Sequence, residues 1–262
     1  MGRFLIVSRV ERLAEHLELA EKYNVGFEIN DFFDPQLLDD EKRQQVVIDR
    51  YLKVGLPEGS TMHGAFFDVT VFSNDAKIRE ISNLRMHQSM EIARKLHVKG
   101  VVFHTNWNPM VCGEIYENQI VERTVSYMKA LLEQYPEIEI YLENMFDSDP
   151  RILTRISKEL KAYKNYGVCL DYAHATIYGS DIAHWIEELT PYIKHLHIND
   201  NDLKQDQHLA LGEGQIDWHR FMEYYRTRFA ECSVLIETTQ PENQAKSLQY
   251  LEDFGKGEIQ PK

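Results

Sequence analysis

The chain is short of cysteine, of positive charge and of long apolar runs. Its three cysteines, Cys112, Cys169 and Cys232, form no C-x-x-C pair. So sparse and odd a set reads as reduced thiols in a cytosolic protein, not as a disulfide framework. Cys169 and Cys232 lie in or beside apolar runs and read as small buried hydrophobes. Lysine and arginine number 29 against 42 aspartates and glutamates, a formal net charge of -13. A broad electrostatic grip on nucleic acid or an anionic membrane is therefore not expected. No run approaches the length of a membrane span, and no basic segment followed by an apolar stretch marks a signal peptide. A P-loop and a dinucleotide fingerprint are both missing, which argues against ATP and NAD as cofactors.

What remains is a chain of 262 residues, 43% hydrophobic and 27% charged, enough for one large core. Short apolar runs alternate with longer amphipathic ones, the rhythm of repeated βα units and a parallel sheet. Strands are predicted at residues 4–7, 26–29, 61–65, 100–104, 138–143, 167–171, 193–198 and 234–237. Helices are predicted at 10–23, 82–96, 119–135, 149–163 and 217–229, with Pro150 at a first helical position and Asp217 as a cap. Eight such strands close an α/β fold of the (β/α)8 type. No composition shift or linker divides the chain, so residues 1–262 are expected to form one domain. The polar tail at 255–262 is expected to fray.

The informative feature is where polar residues fall. The predicted strands end in Met62-His63-Gly64, Phe103-His104-Thr105, Leu142-Glu143-Asn144, Leu170-Asp171-Tyr172, His195-Leu196-His197 and Ile236-Glu237-Thr238. One histidine at a strand end is usually structural, and one carboxylate there is often a helix cap. Repetition at the same height on most strands makes those readings poor, because the strands of a barrel converge on one axis. Carboxylates confined together repel and raise one another's pKa, and a cation removes the conflict. A mixture of His, Asp and Glu suits Zn²⁺ or Mn²⁺. Parity places Tyr141 with Glu143, Cys169 with Asp171, and His195 with His197 and Asn199 on the inner face. His197 then stands at the mouth, with His195 one layer deeper as a hydrogen-bonded core residue.

Taken in order, Leu170-Asp171-Tyr172-Ala173-His174, His195-Leu196-His197-Ile198-Asn199-Asp200, the Asp206-Gln207-His208 to Gly212-Glu213-Gly214 segment and Leu235-Ile236-Glu237 resemble the xylose isomerase-like barrel superfamily. His63-Gly64-Ala65-Phe66 and Phe103-His104-Thr105-Asn106 share the likeness, which runs through the whole chain. The resemblance implies a TIM barrel and a divalent ion (Mn²⁺, Zn²⁺, Co²⁺ or Mg²⁺) on Glu143, Asp171, His197 and Glu237. It implies a sugar or sugar phosphate isomerase or epimerase, with Glu143 and Glu237 as paired acid and base. His174, on the loop after Asp171, would bind a substrate hydroxyl, and Trp107 and Phe66 would wall the sugar. Homo-oligomers are frequent in the resembling group.

The same superfamily includes endonuclease IV-type enzymes, whose three-zinc cluster hydrolyses phosphodiesters. By resemblance His63, His104, His174, Asp206 and His208 fall on its further ligand positions. Alternatively the Asp206–His208 pair clasps the Gly212–Gly214 loop. The acidic stretch from Asp31 through Asp34, Asp39 and Asp40 to Glu41, and Asp68 after the third strand, lean away from DNA. A small sugar is therefore the expected substrate. A barrel that only binds a sugar or a metal would not need an opposed pair of glutamates. The Gly212–Gly214 turn is a weaker candidate for phosphate binding through its amides.

Overall fold

The computed structural model describes residues 3–66, 68–111, 113–179 and 181–259. Among these, eight strands close into a parallel barrel. They are β1 (Phe4–Ser8), β2 (Gly26–Ile29), β3 (Thr61–His63), β4 (Gly100–His104), β5 (Glu139–Glu143), β6 (Tyr166–Asp171), β7 (Ile193–Ile198) and β8 (Ser233–Ile236). Each pairs in parallel with the next, and β8 returns to β1. Around them run α1 (Leu13–Tyr23), α2 (Pro35–Leu38), α3 (Glu41–Val54), α4 (Ala76–Leu96) and α5 (Glu114–Gln134). The ring continues with α6 (Arg151–Leu160), α7 (Tyr172–Tyr178), α8 (Ile182–Leu189), α9 (Trp218–Tyr224) and α10 (Pro241–Lys256).

The expected strands recur with shifted ends. β3 stops at His63, and Glu237 lies one residue past β8, its N–H still donating to Ile198. Helices α4 and α5 start earlier than apolar spacing suggested, α4 because Asp75 caps it. Pro150 sits at the cap position before α6, not inside it. Asp217 caps α9 as expected. Helices α2, α3, α7, α8 and α10 are additions. In α3 only Gln44, Ile48 and Tyr51 are buried, too narrow a stripe to stand out among the charges. The tail does not fray where expected: α10 continues through Gly255 to Lys256, and residues 260–262 lie outside the described ones.

There are two interiors. The large one lies between sheet and helices, where Phe27, Met62, Phe103, Leu142, Val168, Leu196 and Val234 face outward from the strands. The small one lies inside the barrel. It holds two separate apolar clusters, Leu5 with Val7 and Leu235, and Val102 with Tyr141 and Cys169. Glu28, Thr61, His195 and Ser233, all buried, hydrogen-bond with one another within this interior. Cys169 and Cys232 are free and buried; Cys112 lies outside the described residues.

The loop after β7 is clasped by one buried carboxylate. Asp200 accepts from the amides of Asn201, Gly212 and Ile216 and from the Trp218 indole, at 2.9–3.1 Å. Its backbone pairs with Leu209 in both directions. A Cβ on Gly214 would stand 2.3 Å from Asp200 Oδ1 and 2.4 Å from Asn201 O. Gly214→Ala should therefore lower stability by about 1–3 kcal/mol. Urea unfolding measures it; an unchanged midpoint would mean that this backbone yields freely.

Candidate metal centre

Glu143, at the end of β5, is fully buried and stands among four imidazoles. Its Oε2 lies 3.5 Å from His63 Nε2 and 3.4 Å from His104 Nε2. Its Oε1 lies 3.4 Å from His197 Nδ1 and 3.8 Å from His174 Nδ1. Two sets of donors meet there. Glu143, Asp171, His197 and Glu237 present ligand atoms within 4.8 Å of one another, and so do His63, His104 and Glu143. A third set sits on the clasped loop. Asp206 Oδ2 lies 2.9 Å from His208 Nε2 and 3.3 Å from His174 Nε2.

Hydrogen bonds behind the cluster aim these atoms. The Nδ1 of His63, His174 and His208 lies 2.6–3.0 Å from the carbonyls of Gly64, Asn144 and Glu237 respectively. A carbonyl only accepts, so each of these rings carries a proton on Nδ1, and Nε2, directed towards Glu143 or Asp206, is the atom left to bind an ion once it gives up any proton of its own. That is how ligating histidines are held. Asp171 does two jobs. Its Oδ1 caps α7 through the His174 amide at 2.6 Å, while Oδ2 has no hydrogen bond. Both oxygens of Glu143, Nδ1 of His197 and Oε2 of Glu237 are likewise buried without one. Orphaned donors this dense cost several kcal/mol, and divalent ions would satisfy them. The mixed imidazole and carboxylate donor set fits a divalent metal ion.

The charges here are coupled. Burial pushes the Glu143 carboxyl up, but the His197 and His104 rings outweigh it and hold it well below the usual range. Asp171 goes the other way: burial, with Glu237 and Glu143 nearby, raises it far above a normal carboxyl against the pull of His174. Burial disfavours the His174 cation, yet Asp171 and Asp206 raise it well above an ordinary imidazole. His208, opposed by burial but facing Glu237 and Asp206, is raised to about 10.

A cavity of about 160 Å³ opens over the cluster, lined by His63, Phe66, His104, His174, Asp206, His208 and Glu237. Phe66 packs on His63 and His104, with ring centroids 4.7 and 5.2 Å away. A larger cavity of about 410 Å³ lies between the β1 and β2 loops and α3 and contains none of these donors.

Several expectations need correction. His174 is not on a loop but in the first turn of α7. Trp107 does not wall the cavity: its indole is 1% exposed and donates to Asp147 at 2.5 Å. The clasp of the glycine loop is Asp200, so Asp206 and His208 are free to face the cavity. The Gly212 and Glu213 amides donate to Asp200 and Ala210, which removes them from phosphate binding. The acidic loop after β2 is mostly structural. Asp34 and Asp40 cap α2 and α3, Asp39 pairs with Arg85, and Asp31 accepts from Tyr51. These acids therefore weigh less against nucleic acid than their number suggested. Sequence reasoning missed Glu28, on the inner face of β2 behind His197. Its only signal is a lone charge between Phe27 and Ile29.

Fold and donor set together define a (β/α)8 barrel with a cluster of His, Asp and Glu side chains that could hold metal ions at its C-terminal mouth. The chain belongs to the xylose isomerase-like TIM barrel family, which it matches over residues 25–254. That superfamily includes sugar epimerases and isomerases as well as endonuclease IV. Among relatives, the uncharacterized protein MJ1311 of Methanocaldococcus jannaschii is 25% identical over 260 residues, 95% of this chain and 84% of that protein. Similar structures include the TTHB071 protein of Thermus thermophilus soaked with ZnCl2, at TM-score 0.79 and 21% identity over 98% of this chain and 99% of that one. A D-tagatose 3-epimerase-like protein follows at 0.78 and 23%, covering 98% of both chains. Endonuclease IV of Thermus thermophilus gives 0.67 and 16%, covering 97% and 99%. At these identities the likeness shows the fold.

The carboxylates around them favour protonated His174 and His208 in the ion-free protein, and a cation bound there would displace those protons. Ion uptake should release protons, and apparent affinity should fall as pH is lowered. Zinc titration in weak buffer with an indicator dye reads this directly. Uptake without proton release between about pH 6 and 8 would show that these imidazoles are not ligands.

Proposed function

We propose that the chain is a divalent-metal-dependent hydrolase of phosphoesters whose centre takes about three ions. The observation that carries this is the number and orientation of the donors. An isomerase with one ion uses Glu143, Asp171, His197 and Glu237, and can use His174 for a substrate hydroxyl. That leaves His63, His104, Asp206 and His208 without a role. Yet His63 and His208 are tied through Nδ1 to backbone carbonyls, and their Nε2 atoms face carboxylates. Divalent ions bound here would neutralise phosphoryl oxygens and make a water acidic enough to attack near neutral pH.

The chain's own residues supply the frame. Glu143 serves two donor sets, one through each oxygen. Asp206 and His208 close the cavity from the clasped loop, and Phe66 shields His63 and His104 from water. A space of about 160 Å³ takes a phosphorylated sugar or a single extruded nucleotide's phosphate, not an intact duplex.

A second reading, a sugar or sugar phosphate isomerase or epimerase with one ion, is favoured by the small cavity and by the net charge of -13. There Glu143 and Glu237, both beside His197, would act as acid and base on a substrate carbon.

Elemental analysis of the purified protein should find about three divalent ions per chain, and it should cleave a simple phosphodiester or an abasic-site oligonucleotide. Glu143→Gln should lower turnover on the order of a thousandfold. Asp206→Asn should abolish hydrolysis, whereas under the second reading it would spare epimerisation. One ion per chain with ketose epimerisation and no phosphoester cleavage would overturn the hydrolase in favour of the isomerase.

A further inference from the structure

Below the candidate ligands lies a charged residue that neither functional reading employs. Glu28 is 1% exposed inside the barrel, where branched apolar side chains are the rule. Its Oε2 accepts from Thr61 Oγ1 at 2.7 Å and from His195 Nε2 at 3.1 Å. Its Oε1 stands 3.1 Å from His197 Nε2. This last pair is at ion-pair distance, and neither atom has a hydrogen bond. His195 in turn places Nδ1 2.7 Å from Ser233 Oγ and stacks on Tyr141 with centroids 5.2 Å apart. Cys169 and His195 also lie near His197 as a conceivable donor set. Both nitrogens of His195 are already engaged, so that group holds no ion.

A buried carboxylate survives only with its oxygens matched by donors. Of the carboxylate oxygens around His197, Glu28 Oε1 is the nearest, 3.1 Å from Nε2 against 3.4 and 3.7 Å for those at Nδ1, so the ring proton belongs on Nε2. Its Nδ1 is then left facing Glu143 Oε1 at 3.4 Å and Glu237 Oε2 at 3.7 Å. We propose that Glu28 is a positioning residue that makes His197 an Nδ1 ligand and strengthens cation binding at the Glu143–Asp171–His197–Glu237 set. Thr61 and the Ser233–His195 pair hold Glu28 in turn. The inference rests on the metal-site reading shared by both proposed functions, and it does not depend on which reaction is catalysed.

Glu28→Gln keeps the shape and removes the charge. Competition against a chromophoric chelator should show one class of ion weakened roughly 10–100-fold. In the same experiment Asp206→Asn should weaken a different class and leave that one intact. Circular dichroism and thermal unfolding check that both variants are folded. Nitrogen-15 NMR of the wild-type histidines, metal-loaded, should find His197 protonated on Nε2. That measurement needs no variant, so a folding failure of Glu28→Gln does not shield the proposal. Wild-type affinity in folded Glu28→Gln, or a His197 protonated on Nδ1 with Nε2 bare, would overturn it. A wild-type protein that binds no divalent ion at all would instead sink the metal-site reading beneath it.

Discussion

The structure turns on the confinement of Glu143 among His63, His104, His174 and His197 at the mouth of a closed barrel. In water such a group would be solvated and unremarkable. Here it is fully buried, and its oxygens have no hydrogen bond. Removing that conflict requires positive charge at the barrel axis. Protons on the imidazoles supply some of it, and divalent ions would supply it with better geometry. The opposite pKa directions of Glu143 and Asp171 express the same crowding: one carboxylate is held ionised by imidazoles, while its neighbour is pushed towards the neutral form.

The rest of the molecule keeps these groups aimed. Backbone carbonyls at Gly64, Asn144 and Glu237 fix three imidazoles by their outer nitrogens. Asp171 ends its strand, caps the next helix and still keeps one oxygen free. Asp200 gathers four donors and so holds a loop in which His208 adopts the left-handed region, at φ 48. For a non-glycine residue that conformation is costly and persists only when its surroundings enforce it. Below the mouth the barrel gives up part of its apolar filling to the network of Glu28, Thr61, His195 and Ser233. Rigid donors on strand ends and short caps would let cations and a substrate bind, under the proposed function, with little rearrangement.

Much of this was legible in the residues themselves. The alternation of apolar runs located eight strands within a few residues, because a buried parallel strand must be apolar almost throughout. His63, His104, Glu143, Asp171, His197 and Glu237 stood out because each interrupts such a run at its end. The helices that escaped notice are short, like α7, carry too narrow an apolar stripe, like α3, or bury a partly polar face, like α10 with Gln244 and Ser247. Trp107 was misjudged because a loop position does not say whether a ring faces the cavity or a partner such as Asp147. The acids at 31–41 were misjudged likewise: a charge count does not reveal which carboxylates cap helices or pair with Arg85.

By itself the sequence determined the barrel, its single-domain extent and the residues at its mouth, since all of these follow from periodicity along the chain. The grouping of the donors was decided only in three dimensions. Glu143 serves both His63 with His104 and Asp171 with His197 and Glu237, while Asp206 lies between His174 and His208. Which nitrogen each ring turns inward depends on a carbonyl or carboxylate behind it, which is the next residue for His63, lies in a neighbouring βα unit for His174 and His208, and is far along the chain for His197, whose partner is Glu28. Closing the barrel brings such pairs together, and hydrogen-bond geometry at that distance leaves no mark on local sequence.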